Sequence, residues 1–252
     1  MFRRIIWLAI LNILSAFLTG LYSQNPSLDN QKKIIDKRTE ELIYFSEYEF
    51  GKDLRLVNGR IYSQPNMRAK GHPFIQDLHW ISGSVTVNGK TFSGLQLNYD
   101  IYKDDLIYLD ELPDGARRII LLNKNQVTKF TIPGHTFVKH ESSSLNDVNE
   151  SQYFEILYEG EISLFKKWTK EFESNPTQEY PNGKFLDTKT TRYFLKSNKL
   201  YKVTNKDSLL EVCEDKKEEM KEYLRKNRIH IRKVPDQKLV GFIEYYTSVI
   251  SE

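Results

Sequence analysis

Residues 81–102, with the sequence ISGSVTVNGKTFSGLQLNYDIY, decide the fold class of this chain. The dipeptide Asn88-Gly89 separates two runs in which apolar and polar residues alternate, and this is the strongest short-range signal for a β-hairpin. Both central residues of a type I′ turn need positive φ, which Asn and Gly tolerate. The apolar face of the predicted hairpin holds Val85, Val87, Leu95, Leu97, Tyr99 and Ile101, while Gln96, Asn98, Asp100 and Tyr102 face the other way.

Strand signals extend on both sides of this hairpin, over residues 54–203. A second Asn-Gly pair, Asn58-Gly59, lies between Leu54–Val57 and Ile61–Ser63 and predicts another hairpin. Further strands are predicted at residues 106–109, 118–122, 127–132, 136–138, 153–158, 161–168, 191–195 and 200–203. Short strands at this spacing indicate a mainly antiparallel β-sandwich or barrel.

The last fifty residues, 204–252, change to helical periodicity. Apolar side chains recur there at steps of three and four residues, and Pro235 is placed to open a final helix. The apolar stripes are expected to pack on the sheet or on each other. The chain therefore belongs to the α+β class, with a β body followed by a C-terminal helical segment in a single globular domain.

The N-terminus has the layout of a secretory signal peptide. Arg3 and Arg4 precede an apolar stretch that ends near Leu18, and Ser23 is a small residue before Gln24. A membrane anchor is the alternative, but the stretch is shorter than the roughly 20 residues that a span needs. We expect residues 1–23 to be removed, no transmembrane span to remain, and residues 24–53 to form a lead-in segment with a possible helix over 30–48.

The net charge gives evidence about the cellular location of the protein and does not favour nucleic-acid binding. The whole chain carries a formal charge of +3, with 37 basic and 34 acidic side chains, and this falls to +1 without Arg3 and Arg4. A nearly neutral mature chain lacks the electrostatic signature of a nucleic-acid-binding protein. With the predicted signal peptide, it indicates export to the periplasm or the cell surface of a Gram-negative bacterium.

Cys213 is the single cysteine of the chain. It excludes an intramolecular disulfide, so the exported protein must be stabilised by its core alone. Its apolar neighbours predict a buried and unreactive thiol.

The sequence does not match the residue spacing that cofactor-binding, metal-binding and nucleophile motifs require. Residues 83–91 resemble a phosphate-binding loop, but the glycine spacing is wrong and the chain continues as a strand instead of opening a helix. The five histidines show no zinc-ligand spacing, and no Ser lies in a nucleophile elbow. We predict neither a metal site nor a cofactor.

Residues 71–80, GHPFIQDLHW, combine two imidazoles, a carboxylate and two large aromatic rings between two predicted hairpins. A ligand-binding loop has this composition, since an aromatic platform supports the ligand and polar groups orient it. A buried connector has it too, with Phe74 and Trp80 in the core. The candidate binding residues are His72, Asp77, His79, Trp80 and Asp100.

A basic stretch over residues 225–233 is the remaining candidate. Part of its charge complements the C-terminal dipole of the predicted helix, and residues 228–232 alternate as a short strand with a basic face. Such a face suits an anionic partner such as a lipid headgroup or a surface polysaccharide. Its members are Arg225, Lys226, Arg228, Arg232 and Lys233.

Several of these residues together resemble a family of secreted, β-rich proteins of Bacteroidetes-type bacteria that has no assigned activity. The resemblance is carried by Gly71-His72-Pro73-Phe74, Trp80, Gly83, residues 99–104, Leu106, residues 158–160 and the strand-then-helix run from Tyr193 to Tyr246. It implies an envelope or secreted location and a β-rich body. It implies no catalytic residues.

These observations favour a non-enzymatic envelope module that binds or scaffolds a surface partner, whether protein, glycan or lipid headgroup. A first alternative is a hydrolase, in which His72, Asp77, His79 and Asp100 converge in one cleft within hydrogen-bonding reach. A second alternative is a cell-surface structural component that assembles with itself.

Overall fold

The computed structural model describes residues 28–50, 52–76, 79–112, 114–141 and 151–250. The predicted signal peptide lies outside these residues. The chain divides into two compact units, residues 1–53 and residues 54–252. In the first unit, helix α1 (Leu28–Phe50) covers the segment for which the sequence allows a helix.

The second unit is mainly antiparallel β, as predicted. Its strands among the described residues are β1 (Arg60–Ile61), β2 (Ile81–Val87), β3 (Lys90–Asp100), β4 (Asp105–Glu111), β5 (Arg117–Leu121), β6 (Val127–Ile132), β7 (His135–Glu141), β8 (Ser151–Tyr158), β9 (Ile162–Thr169), β10 (Phe172–Glu173), β11 (Lys184–Phe185), β12 (Lys189–Lys196) and β13 (Lys199–Val203). Eleven of them form one sheet in the order β1-β5-β4-β3-β2-β6-β7-β8-β9-β12-β13, and β10 pairs with β11 separately.

The two Asn-Gly dipeptides have different structures. Asn88 and Gly89 have φ values of 47° and 78° and join β2 to β3, with Val87 opposite Lys90, which confirms this hairpin. The hairpin predicted at Asn58-Gly59 is wrong, because the preceding residues form the short helix α2 (Leu54–Val57). A side chain at Gly59 would clash with the carbonyl oxygen of Leu121, so this glycine serves a close approach between backbones.

The large sheet is strongly curved but open. The rings of Tyr99 on β3 and Tyr153 on β8 are 6.0 Å apart, although three strands separate β3 from β8. In a flat sheet these strands would lie about 19 Å apart, at roughly 4.8 Å per strand. The barrel prediction is wrong because β1 and β13 are the two ends of the strand order and do not pair. The sandwich alternative stays a prediction.

Aromatic rings fill the inside of the curve. Phe130 is fully buried and lies 4.6 Å from Phe137, 5.1 Å from Tyr153 and 5.2 Å from Tyr99, between ring centroids. Such pairs each contribute about 0.5–1.5 kcal/mol beyond the burial of their area. This aromatic cluster joins strands that are distant in sequence.

Three helices cover part of the other end of the sheet, as the sequence predicts: α3 (Lys206–Val212), α4 (Lys217–Lys226) and α5 (Asp236–Ile250). A capping box starts α3, since Asn205 accepts from the Ser208 amide and the Ser208 hydroxyl accepts from the Asn205 amide. The predicted stripe on α5 is buried at Leu239, Ile243 and Tyr246. These side chains form one core with Leu164 and Phe194 of the sheet, among others.

Asp104 links four separate parts of the second unit through its carboxylate. Its Oδ1 accepts from the Tyr99 hydroxyl and from Nζ of Lys167, and its Oδ2 accepts from Nζ of Lys124 at 2.7 Å and from the Tyr153 amide at 3.3 Å. The Lys167 side chain is only 8% exposed. We call these five residues the Asp104 network.

Two substitutions that each remove one tyrosine hydroxyl test the hydrogen bonds of the Asp104 network. Among the described residues the buried Tyr153 hydroxyl has no hydrogen-bond partner, whereas the Tyr99 hydroxyl donates to a carboxylate. We expect Tyr153→Phe to leave the free energy of unfolding unchanged or to raise it by up to about 1 kcal/mol, and Tyr99→Phe to lower it by about 1.5–3 kcal/mol. Urea denaturation of both variants measures the difference, and equal losses would contradict the assigned contacts.

The buried carboxylate of Glu155 connects the sheet to α5. It accepts from the Trp168 indole at 2.6 Å and contacts Nδ1 of His135 at 2.7 Å. Lys166 lies 3.6 Å from Glu155 and 2.5 Å from Asp236, the first residue of α5. Glu155 therefore contacts the Trp168 indole, the His135 imidazole and the Lys166 ammonium group. Because Lys166 also contacts Asp236, these contacts stabilise the packing of α5 on the strands.

Candidate ligand-binding cleft

The predicted binding segment is held against β3 by its backbone. The Ile75 amide donates to the Tyr99 carbonyl and the Ile101 amide donates to the Pro73 carbonyl, both at 3.0 Å. Lys170 adds hydrogen bonds to the carbonyls of His72 at 2.9 Å and Phe74 at 3.1 Å. This pairing continues the hydrogen-bond ladder beside the end of β3. Asn98 and Asp100, on the polar side of that strand, are buried.

A cleft of about 320 Å³ opens beside this segment, and we call it the aromatic cleft. Its volume lies at the lower end of the range for small-molecule sites. Its lining comes from strands β3, β4 and β5, from the chain after β1, and from Phe74 and Trp80. Its lining residues are Tyr62, Ser63, Gln64, Met67, Phe74, Trp80, Asn98, Ile107 and Ile119.

Asp100 orients one wall of the aromatic cleft. Its Oδ2 accepts from the Tyr62 hydroxyl at 2.7 Å, and its Oδ1 accepts from the amides of Tyr102 and Lys103, both at 2.9 Å. Burial raises the pKa of Asp100, while these hydrogen bonds oppose that rise. Burial and the neighbouring carboxylate raise the pKa of Tyr62, so the phenol stays neutral and keeps donating.

The remaining polar groups of the aromatic cleft differ in whether they make hydrogen bonds within the protein. Asn98 is occupied, since its Oδ1 accepts from the Tyr99 amide at 2.8 Å and its Nδ2 lies 3.4 Å from the His79 carbonyl. Within the part of the chain that the structure describes, the Trp80 indole N–H, the Ser63 hydroxyl and the Gln64 amide make no hydrogen bond. These three groups can therefore bind a ligand.

The structure brings two of the five predicted site residues to the aromatic cleft. Trp80 lines it, and Asp100 lies behind Tyr62. Neither histidine is among its lining residues: Nδ1 of His72 accepts from the Phe74 amide at 3.3 Å, and His79 is exposed. Asp77 lies outside the described residues.

Sequence reasoning missed several lining residues, with Tyr62, Met67 and Ile107 as the clearest cases. Tyr62 was assigned to a hairpin that does not form, and Ile107 was one apolar residue of a predicted strand. Met67 is 73% exposed, and single exposed apolar side chains are common on protein surfaces, so its residue type gives no signal. The sequence contains no local pattern that distinguishes these residues from ordinary strand and loop residues.

The basic stretch is exposed, but its predicted strand is wrong. Arg225 and Lys226 end α4, Arg228 has a φ of 52°, and residues 231–233 form a short 3₁₀ helix that ends at Lys233. Positive φ at Arg228 ends the helix with a turn, and the Ile229 amide then donates to the Leu224 carbonyl at 3.0 Å. The side chain of Arg232 is not described.

Two absences hold for the described residues. They contain no group of three or more His, Cys, Asp or Glu side chains placed to hold a metal ion. Their helices also include none that is long and apolar enough to cross a membrane.

Cys213 is buried, as predicted, and burial raises the pKa of its thiol to about 12. Since the thiolate is the reactive form, we expect the native protein to react with a disulfide reagent at least about a hundredfold more slowly than the unfolded chain. Spectrophotometric labelling at mildly alkaline pH, with and without guanidinium chloride, measures the two rates. Similar rates would show that the thiol is accessible and reactive.

Comparison with known proteins gives no relative for this chain. No protein-family model, no curated protein and no solved structure matches it. The resemblance to secreted Bacteroidetes proteins therefore stays a prediction from the residues that carry it.

Proposed function

We propose that this protein is an exported, non-enzymatic binding module that takes a small ligand into the aromatic cleft. The observation that carries the proposal is that one polar group at the aromatic cleft already makes its hydrogen bonds within the protein, whereas three others make none among the described residues. The ionisable group next to the aromatic cleft, Asp100, is occupied in fixing Tyr62, while Trp80, Ser63 and Gln64 keep unused hydrogen-bonding capacity. A concave site with aromatic walls and a few polar groups is typical of ligand binding.

This arrangement favours binding over hydrolysis. A general base must lie within hydrogen-bonding reach of the proton that it abstracts. The Asp100 carboxylate is fully buried, and its hydrogen bonds are with a phenol and two turn amides. The hydrolase and self-assembly alternatives remain predictions that no contact among the described residues favours.

Ligand-detected NMR with a library of small fragments tests the proposal. We expect fragments to bind the wild-type protein and to lose at least about tenfold in affinity in Trp80→Ala, because the largest wall of the aromatic cleft is removed. Tyr245→Ala is the matched control, since Tyr245 is an aromatic residue of α5 that is 39% exposed and does not line the aromatic cleft. Equal binding by both variants would contradict a ligand site at Trp80.

Export is a separate part of the proposal and has its own test. Expression of the full chain in a Gram-negative host, followed by fractionation and intact-mass measurement, is expected to give an envelope or secreted protein that begins near Gln24. A cytoplasmic protein of full mass would contradict it.

A further inference from the structure

The chemistry of the aromatic cleft restricts its ligand further, and this inference rests on the proposed function. The first restriction is charge, because none of the nine lining residues that the structure describes carries a formal charge. An ion that enters such a site loses hydration without gaining a partner, which costs several kcal/mol. Asp100 offers no compensation to a cation, since it is buried behind Tyr62 and already accepts three hydrogen bonds.

The second restriction is the mixture of hydrogen-bonding groups. The Trp80 indole donates only, whereas the Gln64 amide and the Ser63 hydroxyl each donate and accept. The Tyr62 hydroxyl donates its proton to Asp100, so it has no proton left to donate to a ligand. A ligand that satisfies these groups must present donors and acceptors close together, as neighbouring hydroxyl groups do.

The third restriction is the apolar surface between those groups. The half-buried side chains of Trp80 and Ile119 and the exposed side chain of Met67 form it, whereas Phe74 and Ile107 are almost completely buried. A ligand rich in hydroxyls must therefore also have an apolar face. A pyranose ring has this combination, since its C–H groups lie on the ring faces and its hydroxyls lie around the edge.

From charge, hydrogen bonding and shape together we infer that the aromatic cleft binds an uncharged saccharide, on the order of one or two pyranose rings in size. The ring stacks on Trp80, and its hydroxyls bond to Gln64 and Ser63. Phospholipid headgroups and charged peptides are disfavoured because their charges would find no charged partner among the described lining residues.

Tryptophan fluorescence provides a direct test. The chain has three tryptophans, of which Trp7 lies in the predicted signal peptide. In the processed Trp168→Phe variant, Trp80 is then the one remaining tryptophan, and its emission reports on the aromatic cleft. The probes are neutral oligosaccharides of glucose and of N-acetylglucosamine, an oligogalacturonate, phosphatidylglycerol vesicles and a mixed set of charged peptides.

We expect a saturable change of Trp80 emission with at least one neutral oligosaccharide, and binding at least tenfold weaker for the oligogalacturonate, the vesicles and the peptides. Calorimetry with otherwise wild-type variants then separates the contacts. Gln64→Ala should weaken saccharide binding at least threefold, Trp80→Ala at least tenfold, and Tyr245→Ala should not change it. Thermal unfolding of each variant confirms that it is folded.

The outcomes distinguish this inference from the proposed function. If a charged probe binds at Trp80 more tightly than every neutral saccharide, the inference is overturned and the proposed function stands. If neither the probes nor the fragment library bind, both are overturned. Saccharide binding that Trp80→Ala and Gln64→Ala leave unchanged would place the site elsewhere and also overturn the inference.

Discussion

Asp104→Asn is expected to lower the free energy of unfolding by about 3–5 kcal/mol, which is the usual cost of removing one partner of a buried ion pair. Asp104 has a φ of 61°, a conformation that Asn also tolerates, so the substitution removes the charge and spares the turn. Lys167 would keep the Tyr153 carbonyl at 3.1 Å as an acceptor but would lose its carboxylate.

The pH dependence of this loss gives an independent check. Burial lowers the pKa of Lys167, and Asp104 opposes that shift. Without the carboxylate the folded-state pKa falls further below the unfolded value, so the unfolded state binds more protons between the two values. Stability of the variant then rises with pH in that window, and the deficit relative to wild type should shrink as the pH approaches 10.

Urea denaturation at neutral and alkaline pH measures both effects. The matched control is Glu171→Gln, because Glu171 and Lys189 form an ion pair at 2.7 Å in which both side chains are more than half exposed. An exposed pair contributes about 0–1 kcal/mol, so this variant should resemble wild type. If Asp104→Asn lost no more than Glu171→Gln, the Asp104 network would not stabilise the fold.

Phe130→Ala is expected to lower the free energy of unfolding by about 3–5 kcal/mol. Phe130 is fully buried at the centre of the aromatic cluster, where its ring contacts those of Tyr99, Phe137 and Tyr153. The substitution leaves a cavity among rings from three other strands. Because this cluster stabilises the curvature of the sheet, the loss should appear as a lower midpoint of cooperative unfolding.

Phe172→Ala is the control for ring removal as such. Phe172 is half-buried in the separate pair β10–β11, where it contacts Phe185 at 5.1 Å between centroids. We expect its loss to cost clearly less than that of Phe130, since the site is open to solvent. Thermal and denaturant unfolding compare the two, and an equal cost would mean that the aromatic cluster is not the main core.

The two Asn-Gly dipeptides show how far sequence reasoning reaches. At Asn88-Gly89 the turn residues and the flanking alternation agree, and the predicted hairpin forms. At Asn58-Gly59 the same dipeptide follows a helix and forms no hairpin. The glycine is needed there for a different reason, since a side chain at Gly59 would clash with Leu121 on β5. That requirement comes from a strand sixty residues away, and the local sequence carries no sign of it.

The candidate site shows the same limit. The composition of residues 71–80 suits both a ligand-binding loop and a buried connector. In the structure Phe74 is buried, and both Phe74 and Trp80 line the aromatic cleft. The alternation along β3 places Asp100 on the polar side of the strand, but in the structure Asp100 is completely buried. The role of Asp100 therefore depends on Tyr62, which approaches from a different segment.

By itself the sequence determined the local properties of this protein: the antiparallel β body, the hairpin at Asn88-Gly89, the C-terminal helices with their apolar stripes, and the buried state of Cys213. These follow from backbone preferences and from the periodicity of apolar residues, which act over a few neighbouring positions. Only the tertiary structure decided the curvature of the sheet, the Asp104 network and the aromatic cleft. Each of these joins side chains from several distant segments, and the energy that selects them exists only after those segments have packed together.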